Sequence, residues 1–300
     1  MGNTFTDGVD ASGSIVPLVS LAYVKRRLGI TGTDNDTRLQ NCIDAATLYI
    51  EGLTGRKLAA RDIRDWHSLT SQKIVVLPNY PVNDIYQVAW GQQNAISVSY
   101  GGSDIQASAR VNEDGVDLRS IAADGSVTSN ALTFASNPTL STMATAMNAV
   151  TDWTCSKLIG GDGESYKLQR ITISDAKTNT RNLTYADRNE DSYHLRQSTG
   201  ELVFEDFFST TWPDERINFV RGFETLFVHY NAGYATVPAD LTEVAAEMAS
   251  EVYQMAGKDS NVTSESLGDY SYTLADQAAR TTRAADRLTN YMDLVIGQSK

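Results

Sequence analysis

Three glutamates at four-residue spacing, Glu243, Glu247 and Glu251, are the first residues whose pattern carries chemistry. On a helix they form one acidic stripe, which repels itself slightly when exposed and repels any polyanion that slides past it. The bland alternative is the solvated flank of an amphipathic helix. A second charged set, Arg280, Arg283 and Arg287, runs at helical spacing near the C-terminus and suits an acidic partner or DNA. Asp276, Asp286 and Asp293 share that stretch, and Asp276 can pair with Arg280 at i, i+4, so ordinary surface pairing competes with partner binding.

Catalytic arrangements are not found. His67, His194 and His229 are the only histidines, and none has a second His or Cys at metal-ligand spacing. His229 alternates within a strand pattern and reads as a hydrogen-bonded structural histidine. Asp187, Glu190 and Asp191 cluster in a polar segment but lack the alternation and glycine of a calcium loop. Gly160-Gly161-Asp162-Gly163 lacks the Lys-Ser/Thr of a phosphate loop. Gly101-Gly102-Ser103-Asp104 reads as a hairpin turn, and no G-x-S-x-G elbow exists. No catalytic residue, cofactor or metal site is therefore assigned.

The totals narrow the class further. Twenty-five basic residues against 37 acidic ones leave a net charge of −12 over 300 residues, which argues against gripping nucleic acid through its phosphates. It is compatible with letting DNA pass. Cys42 and Cys155 show neither a CxxC spacing nor a disulfide framework and read as free thiols in a reducing compartment. No run approaches 18 apolar residues, and the N-terminus lacks a basic region followed by an apolar one, so neither a membrane span nor a secretion signal is expected.

The acidic stripe needs a helix to carry it, and the sequence supplies one. Phe223 to Tyr234 alternates with aromatic and β-branched residues and predicts a strand that Gly233 breaks. After Pro238, Asp240 and Glu243 make a capping-box-like entry to a helix with Leu241, Val244, Ala245, Met248, Ala249, Val252 and Met255 on one face. Residues 1–19 are rich in Gly, Ser, Thr and Asp with few large apolar groups, and predict a flexible arm. Ser20 caps a short helix through Leu21, Val24 and Leu28 that Gly29 ends, and a second helix runs through Leu39, Ile43, Ala46, Ile50 and Leu53 to Gly55. Short strands follow at Asp62–His67, Lys73–Leu77 and Ile85–Trp90, with Pro78 and Pro81 turning the chain. From Gly91 to about Asp187 the composition shifts to Ser, Thr, Gly, Asn and Asp, with β patterns at Ile96–Tyr100, Ala131–Phe134 and Trp153–Leu158. One helix is expected there, carrying Leu140, Met143, Ala144 and Met147. Strand character resumes at Tyr193–Leu195 and Leu202–Phe204. Gly257–Gly268 reads as a polar loop before an edge strand, Tyr270-Ser271-Tyr272. A last helix carries Leu274, Ala278, Thr281, Ala285, Leu288, Met292 and Val295 in a heptad-like seam.

In order along the chain, several of these landmarks resemble the head-tail connector proteins (adaptor, or head-completion) of long-tailed bacteriophages. They are Leu21–Leu28, Asp34-Asn35-Asp36, Tyr49-Ile50-Glu51-Gly52-Leu53-Thr54-Gly55-Arg56, Leu77-Pro78-Asn79-Tyr80-Pro81-Val82, Tyr193-His194-Leu195 and Gly200-Glu201-Leu202. Trp212, Tyr230-Asn231-Ala232-Gly233-Tyr234, Val237-Pro238-Ala239-Asp240-Leu241 and Leu267-Gly268-Asp269-Tyr270-Ser271 complete the series. The resemblance covers roughly residues 20–90 and 190–296 and skips the middle. It implies an α+β fold, with a discontinuous helical bundle core of about four helices and a small antiparallel sheet (20–90 and 190–300), and an inserted β-rich α+β domain (91–189). It also implies a structural virion protein and not an enzyme: a ring, usually of twelve copies, below the portal protein. That ring extends the DNA channel without sequence-specific binding and offers a surface to a tail-side neck or tail protein, all assembled in the host bacterial cytoplasm with no membrane partner. In that frame Glu243, Glu247 and Glu251 are candidate channel-lining residues. Tyr270, Tyr272, Arg280, Arg283, Arg287, Leu288 and Met292 are candidate contacts to the portal or a neighbouring subunit. The competing reading is a surface-exposed binding module, in which the insert recognises a carbohydrate through Trp90, Tyr100, Trp153 and Tyr166, or a decoration protein.

Overall fold

A computed structural model describes residues 9–10, 15–69, 74–173, 175–204, 222–255, 264–267, 270–273 and 287–292. After the two-residue strand β1 (Val9–Asp10), the Ser20 hydroxyl accepts the Tyr23 N–H and opens α1 (Leu21–Leu28). Gly29, at φ 69°, closes that helix, and Gly55, at φ 72°, closes α2 (Asp36–Thr54). Both glycines take the left-handed conformation that lets a helix end abruptly. Strands β2 (Arg61–Leu69), β3 (Ile74–Val76), β4 (Val82–Trp90), β5 (Gln93–Tyr100), β6 (Gln106–Val111), β7 (Gly115–Ile121) and β8 (Val127–Thr133) follow. The helix α3 (Leu140–Asn148) begins at a reciprocal Thr139–Thr142 capping box. Beyond it lie β9 (Trp153–Lys157), β10 (Thr172–Ile173), β11 (Arg181–Tyr185), β12 (Arg188–Asn189), β13 (Tyr193–Arg196), β14 (Glu201–Phe204) and β15 (Gly222–Ala232). The chain then forms α4 (Ala239–Met255), β16 (Ser264–Leu267) and β17 (Tyr270–Thr273).

These elements gather into two compact units. The first is β-rich and holds residues 62–77 and 84–231 together with β1. Its sheets run β1-β2-β15-β4-β12, β10-β6-β7-β8, β11-β5-β9 and β13-β14-β3. A hydrophobic cluster drawn from Ala95 through Tyr185 fills its centre. All four residues expected on the inner face of α3, Leu140, Met143, Ala144 and Met147, lie in that cluster. Gly115 starts β7 opposite Thr133, and a Cβ there would run into the Leu132 carbonyl, so only glycine allows this close strand approach.

The second unit is helical and holds residues 14–61, 78–83 and 232–300. Its core joins Val24, Leu39, Ile43, Ala46, Ile50 and Leu58 to Leu241, Val244, Ala245, Ala249 and Leu288. Fully burying side chains of this size contributes roughly 1.5–3 kcal/mol each. Gly233 ends the long strand at φ 105°, and a Cβ there would lie 2.6 Å from the Ala59 carbonyl oxygen. Its N–H donates to the Pro81 carbonyl at 2.9 Å. The glycine therefore permits a backbone crossing that no side chain would survive.

Three local expectations are corrected. Gly101-Gly102 is not a hairpin turn, because β5 pairs with β9 and β11 while β6 pairs with β7 and β10, so the glycines pass the chain between sheets. Ser264–Leu267 is not part of a polar loop: it pairs antiparallel with Tyr270–Thr273, Leu267 opposite Tyr270. On α4, Val252 is 42% exposed, whereas Ala246 and Ser250, off the expected face, are buried. Small residues on that flank leave room for close neighbours, and α4 packs against both α1 and α2. The expected last helix falls mostly outside the described residues, within which Arg287–Leu288 is α-helical and Thr289–Tyr291 tightens into a 3-10 turn.

Candidate functional site

The acidic stripe lies on α4 as its spacing requires, but its acids are engaged within the helical unit. The Glu243 carboxylate accepts the Tyr23 hydroxyl at 2.8 Å and pairs with the Arg27 guanidinium. Those two bonds, Arg27 first, hold Glu243 below the usual carboxylate range, and the bond to Glu243 pushes the Tyr23 phenol up. Arg27 sits in the last turn of α1, among the basic residues that the negative C-terminal end of a helix dipole favours. Glu247 accepts from Arg287 at 2.8 Å, with the two side chains 48% and 44% exposed. Glu251 follows one turn further along the same flank.

A short C-terminal segment, Arg287 to Met292, meets the same helix. Leu288 is fully buried in the unit's core, so this residue, grouped by its spacing with the portal-facing set, is occupied within its own chain. Met292 packs against that core as well. The Tyr291 hydroxyl donates to Asp240 at 2.6 Å, its ring meets Tyr234 edge-on at 6.1 Å, and its carbonyl accepts Arg56 Nε at 3.0 Å. Burial first, then the Asp240 bond, push the Tyr291 phenol up to about 12. The same bond holds Asp240 below its ordinary range. Arg56 also donates to the Tyr80 carbonyl at 3.2 Å and stacks 4.0 Å from the Tyr80 ring. Tyr270 and Tyr272 stand on β17, whereas Arg280 and Arg283 lie outside the described residues.

A buried ion pair supports this region, and the sequence reading missed it. Glu51, on the inner side of α2, accepts Arg61 at 2.6 Å and the Leu58 N–H at 3.3 Å, and faces Lys57 at 3.4 Å. Both the Glu51 and Arg61 side chains are almost wholly buried. The available signal was a charge one residue after Ile50 on an otherwise apolar helix face, followed by Arg56, Lys57 and Arg61.

The groups weighed for chemistry serve packing. Burial lowers the His229 pKa, helped by Arg64, and the ring lies 5.0 Å from Tyr86 and 6.0 Å from Tyr166. Its Nε2 has no hydrogen-bond partner, so aromatic packing holds it, and the expected hydrogen bond is not made through that atom. His67 is likewise neutralised by burial, with Nε2 3.8 Å from Asp65. In the glycine run, Asp162 accepts the Ser141 N–H at 2.9 Å and Gly163 the Leu140 N–H at 2.8 Å, so the loop caps α3. Glu190 accepts the Ser192 N–H at 2.8 Å and Asp187 faces Arg188 at 3.8 Å. Among the described residues no group of three His, Cys, Asp or Glu is placed to hold a metal.

Cys42 and Cys155 are free, buried thiols. Burial pushes the Cys155 thiol up to about 12. The aromatics proposed to stack on sugars are spent on packing. Tyr100 and Trp153 lie 5.1 Å apart in the β-rich core, Trp90 is buried beneath Arg188, and Tyr166 sits between Arg64 and Phe227. Among the described residues no helix is long and apolar enough to cross a membrane.

Comparison with known proteins places part of this architecture. Residues 19–110 match the family described as Phage gp6-like head-tail connector protein. The match spans α1, α2 and the strands through β6. No curated protein matches the chain. Among solved structures, a chain from "Neck of empty GTA particle computed with C6 symmetry" is 14% identical, with 97% of each chain covered and a TM-score of 0.38. A chain from "Virion of native gene transfer agent (GTA) particle" is 11% identical, with 97% of each covered and a TM-score of 0.43. The family match and the resemblance read from the sequence name the same group, the head-tail connector proteins of tailed bacteriophages, and residues 19–110 are the part of this chain that matches it.

Proposed function

We propose that this protein is a head-to-tail adaptor of a virion, whose copies close into a ring below the portal, extend the DNA channel and present the attachment surface for the neck or tail. The observation that carries the reading is the connector-family match over residues 19–110. Its physical logic is closure: a small helical unit cannot surround a passage alone, but cyclic symmetry repeats one interface without open ends. A net charge of −12 suits a collar through which DNA moves without adhering. The ring has twelve copies in this reading and assembles in the bacterial cytoplasm, and the protein is a structural part with no turnover. Residues 91–189 form the inserted domain, supported by a hydrophobic core drawn wholly from Ala95 through Tyr185.

In this proposal Glu243, Glu247 and Glu251 line the channel. Arg27 and Arg287 offset two of the three acids, so the stripe presents less net negative charge than its sequence suggests. Tyr270, Tyr272, Arg280, Arg283, Arg287 and Met292 supply the contact to the portal or to a neighbouring subunit.

The test is mass measurement of the purified protein alone and with purified portal rings, together with its position in a map of the particle. A ring that docks on the portal is expected, and deleting residues 274–300 abolishes docking. Placement away from the capsid's exit vertex overturns the reading. For the stripe, neutralising all three glutamates must alter the salt dependence of DNA ejection; an unchanged dependence removes the lining role.

A further inference from the structure

The outermost strand of a sheet exposes unpaired backbone N–H and C=O groups, and proteins blunt such edges by keeping them very short or by placing charge, proline or a bulge on them. In the β-rich unit the outer strands β1, β10 and β12 have two residues each and β3 has three. Of the longer outer strands, β9 ends in Lys157, β13 ends in Arg196, and β11 starts at Arg181 and shifts register between Leu183 and Thr184. Strand β8 has none of these defences. It is the outermost strand of β10-β6-β7-β8, seven residues long and mostly exposed, and its run Val127-Thr128-Ser129-Asn130-Ala131-Leu132-Thr133 holds no charge and no proline. Its pairing with β7 continues without a shift from Val127 opposite Ile121 to Thr133 opposite Gly115, so its open side presents an equally regular ladder.

We propose that β8 pairs with β8 of a second copy, antiparallel and centred on Asn130, so that two four-stranded sheets join into one. An added extended backbone is what satisfies such an edge, and charge selects which one. At a net charge of −12, like charges oppose the close approach of two copies. This register instead sets Val127 opposite Thr133 and Ser129 opposite Ala131, with no charge facing a charge. The alternation of the strands agrees as well: the face that carries Ser129 and Ala131 in one copy continues into the same face of the other. The contact is one strand about 23 Å long, smaller than a standard interface, so the pair is reversible. It is a property of the free protein and does not depend on the ring.

The test is made on the full-length protein without portal. Sedimentation equilibrium is expected to show dimer mass growing over roughly 1 μM to 1 mM. Ala131→Lys is expected to move that transition about tenfold or more to higher concentration and to leave the thermal melt unchanged, because the added lysine has Asp117 opposite it in β7. For the register, one tagged chain carries Val127→Cys and a second carries Thr133→Cys, and the native Cys42 and Cys155 are buried. A short bis-maleimide is expected to give the covalent heterodimer well above either homodimer. Protein that stays monomeric up to about 1 mM overturns the proposal. Association that Ala131→Lys leaves untouched, or that yields no cross-link between 127 and 133, assigns the contact to another surface and overturns it too. None of these results bears on the ring, which is read with portal present.

Discussion

The two units bury their cores by opposite routes. Every residue of the β-rich cluster lies between Ala95 and Tyr185, and the sheets β10-β6-β7-β8 and β11-β5-β9 find all their partners inside that span. The helical core needs Leu18 to Ala59, then Leu241 to Ala249, and finally Leu288. One core is thus complete within about a third of the chain, and the other closes only when segments from Leu18 to Leu288 have come together. Loop-closure entropy makes the second kind of core slower to assemble and more dependent on distant segments.

The largest expected effect follows from that difference. Residues 91–189 expressed alone are expected to fold, with dispersed amide resonances and a cooperative urea transition. Residues 15–90 alone are expected to lack stable helical packing, because α2 loses α4. A disordered 91–189 fragment would remove the contrast. Restoring the helical unit with a separately added 222–300 fragment would sharpen it.

Single side chains test the same contrast at smaller scale. Met143 in α3 and Ile43 in α2 are both fully buried. Truncating either to alanine is expected to cost about 2–5 kcal/mol. Hydrogen exchange then tells the cases apart. Met143→Ala deprotects β5 and β9 while leaving α4 protected, whereas Ile43→Ala deprotects α4, nearly two hundred residues away in sequence. Glu51→Gln is expected to cost roughly 3 kcal/mol by leaving the buried Arg61 charge uncompensated. Replacing Arg61 in the same background should recover part of that loss in chemical denaturation; a fully additive double mutant would show that the pair is not coupled.

What was legible in the sequence divides along local and non-local lines. Ser20, Gly29 and Gly55 bound the first two helices where they were expected, because capping and left-handed closure depend on a few adjacent residues. The α3 face was readable for the same reason. Strand pairing was not: β3 takes β14 and β5 takes β9 and β11, choices set by packing across many residues and not by any turn signal near Gly101 or Pro78. The acidic stripe was visible as a pattern, but its neutralisation was not, because Arg27 and Arg287 approach it from distant positions. The Glu51–Arg61 pair, though only ten residues apart, was hidden because no local pattern sets how the chain turns from the helix face to the strand start.

The smallest expected effect concerns the segment Arg287–Met292, where the helical unit's dependence on distant segments is most exposed. Arg287→Ala removes a solvent-exposed ion pair and is expected to cost about 0.2–1 kcal/mol, less at high salt. Tyr291 reads the same docking through pH. Its folded pKa is raised to about 12 from the ordinary value of 10.0, so its contribution is fully present below pH 10 and is lost as pH rises toward 12. Asp240 works in the opposite direction: its folded pKa is lowered from 3.8 by the Tyr291 hydroxyl, so its share is present above that value and lost as pH falls below it. Amide exchange at Leu288–Met292 is therefore expected to quicken at both extremes relative to the β-rich core, and Tyr291→Phe should abolish the alkaline arm while leaving Leu288 seated. An alkaline arm that persists in Tyr291→Phe would place the sensitivity elsewhere.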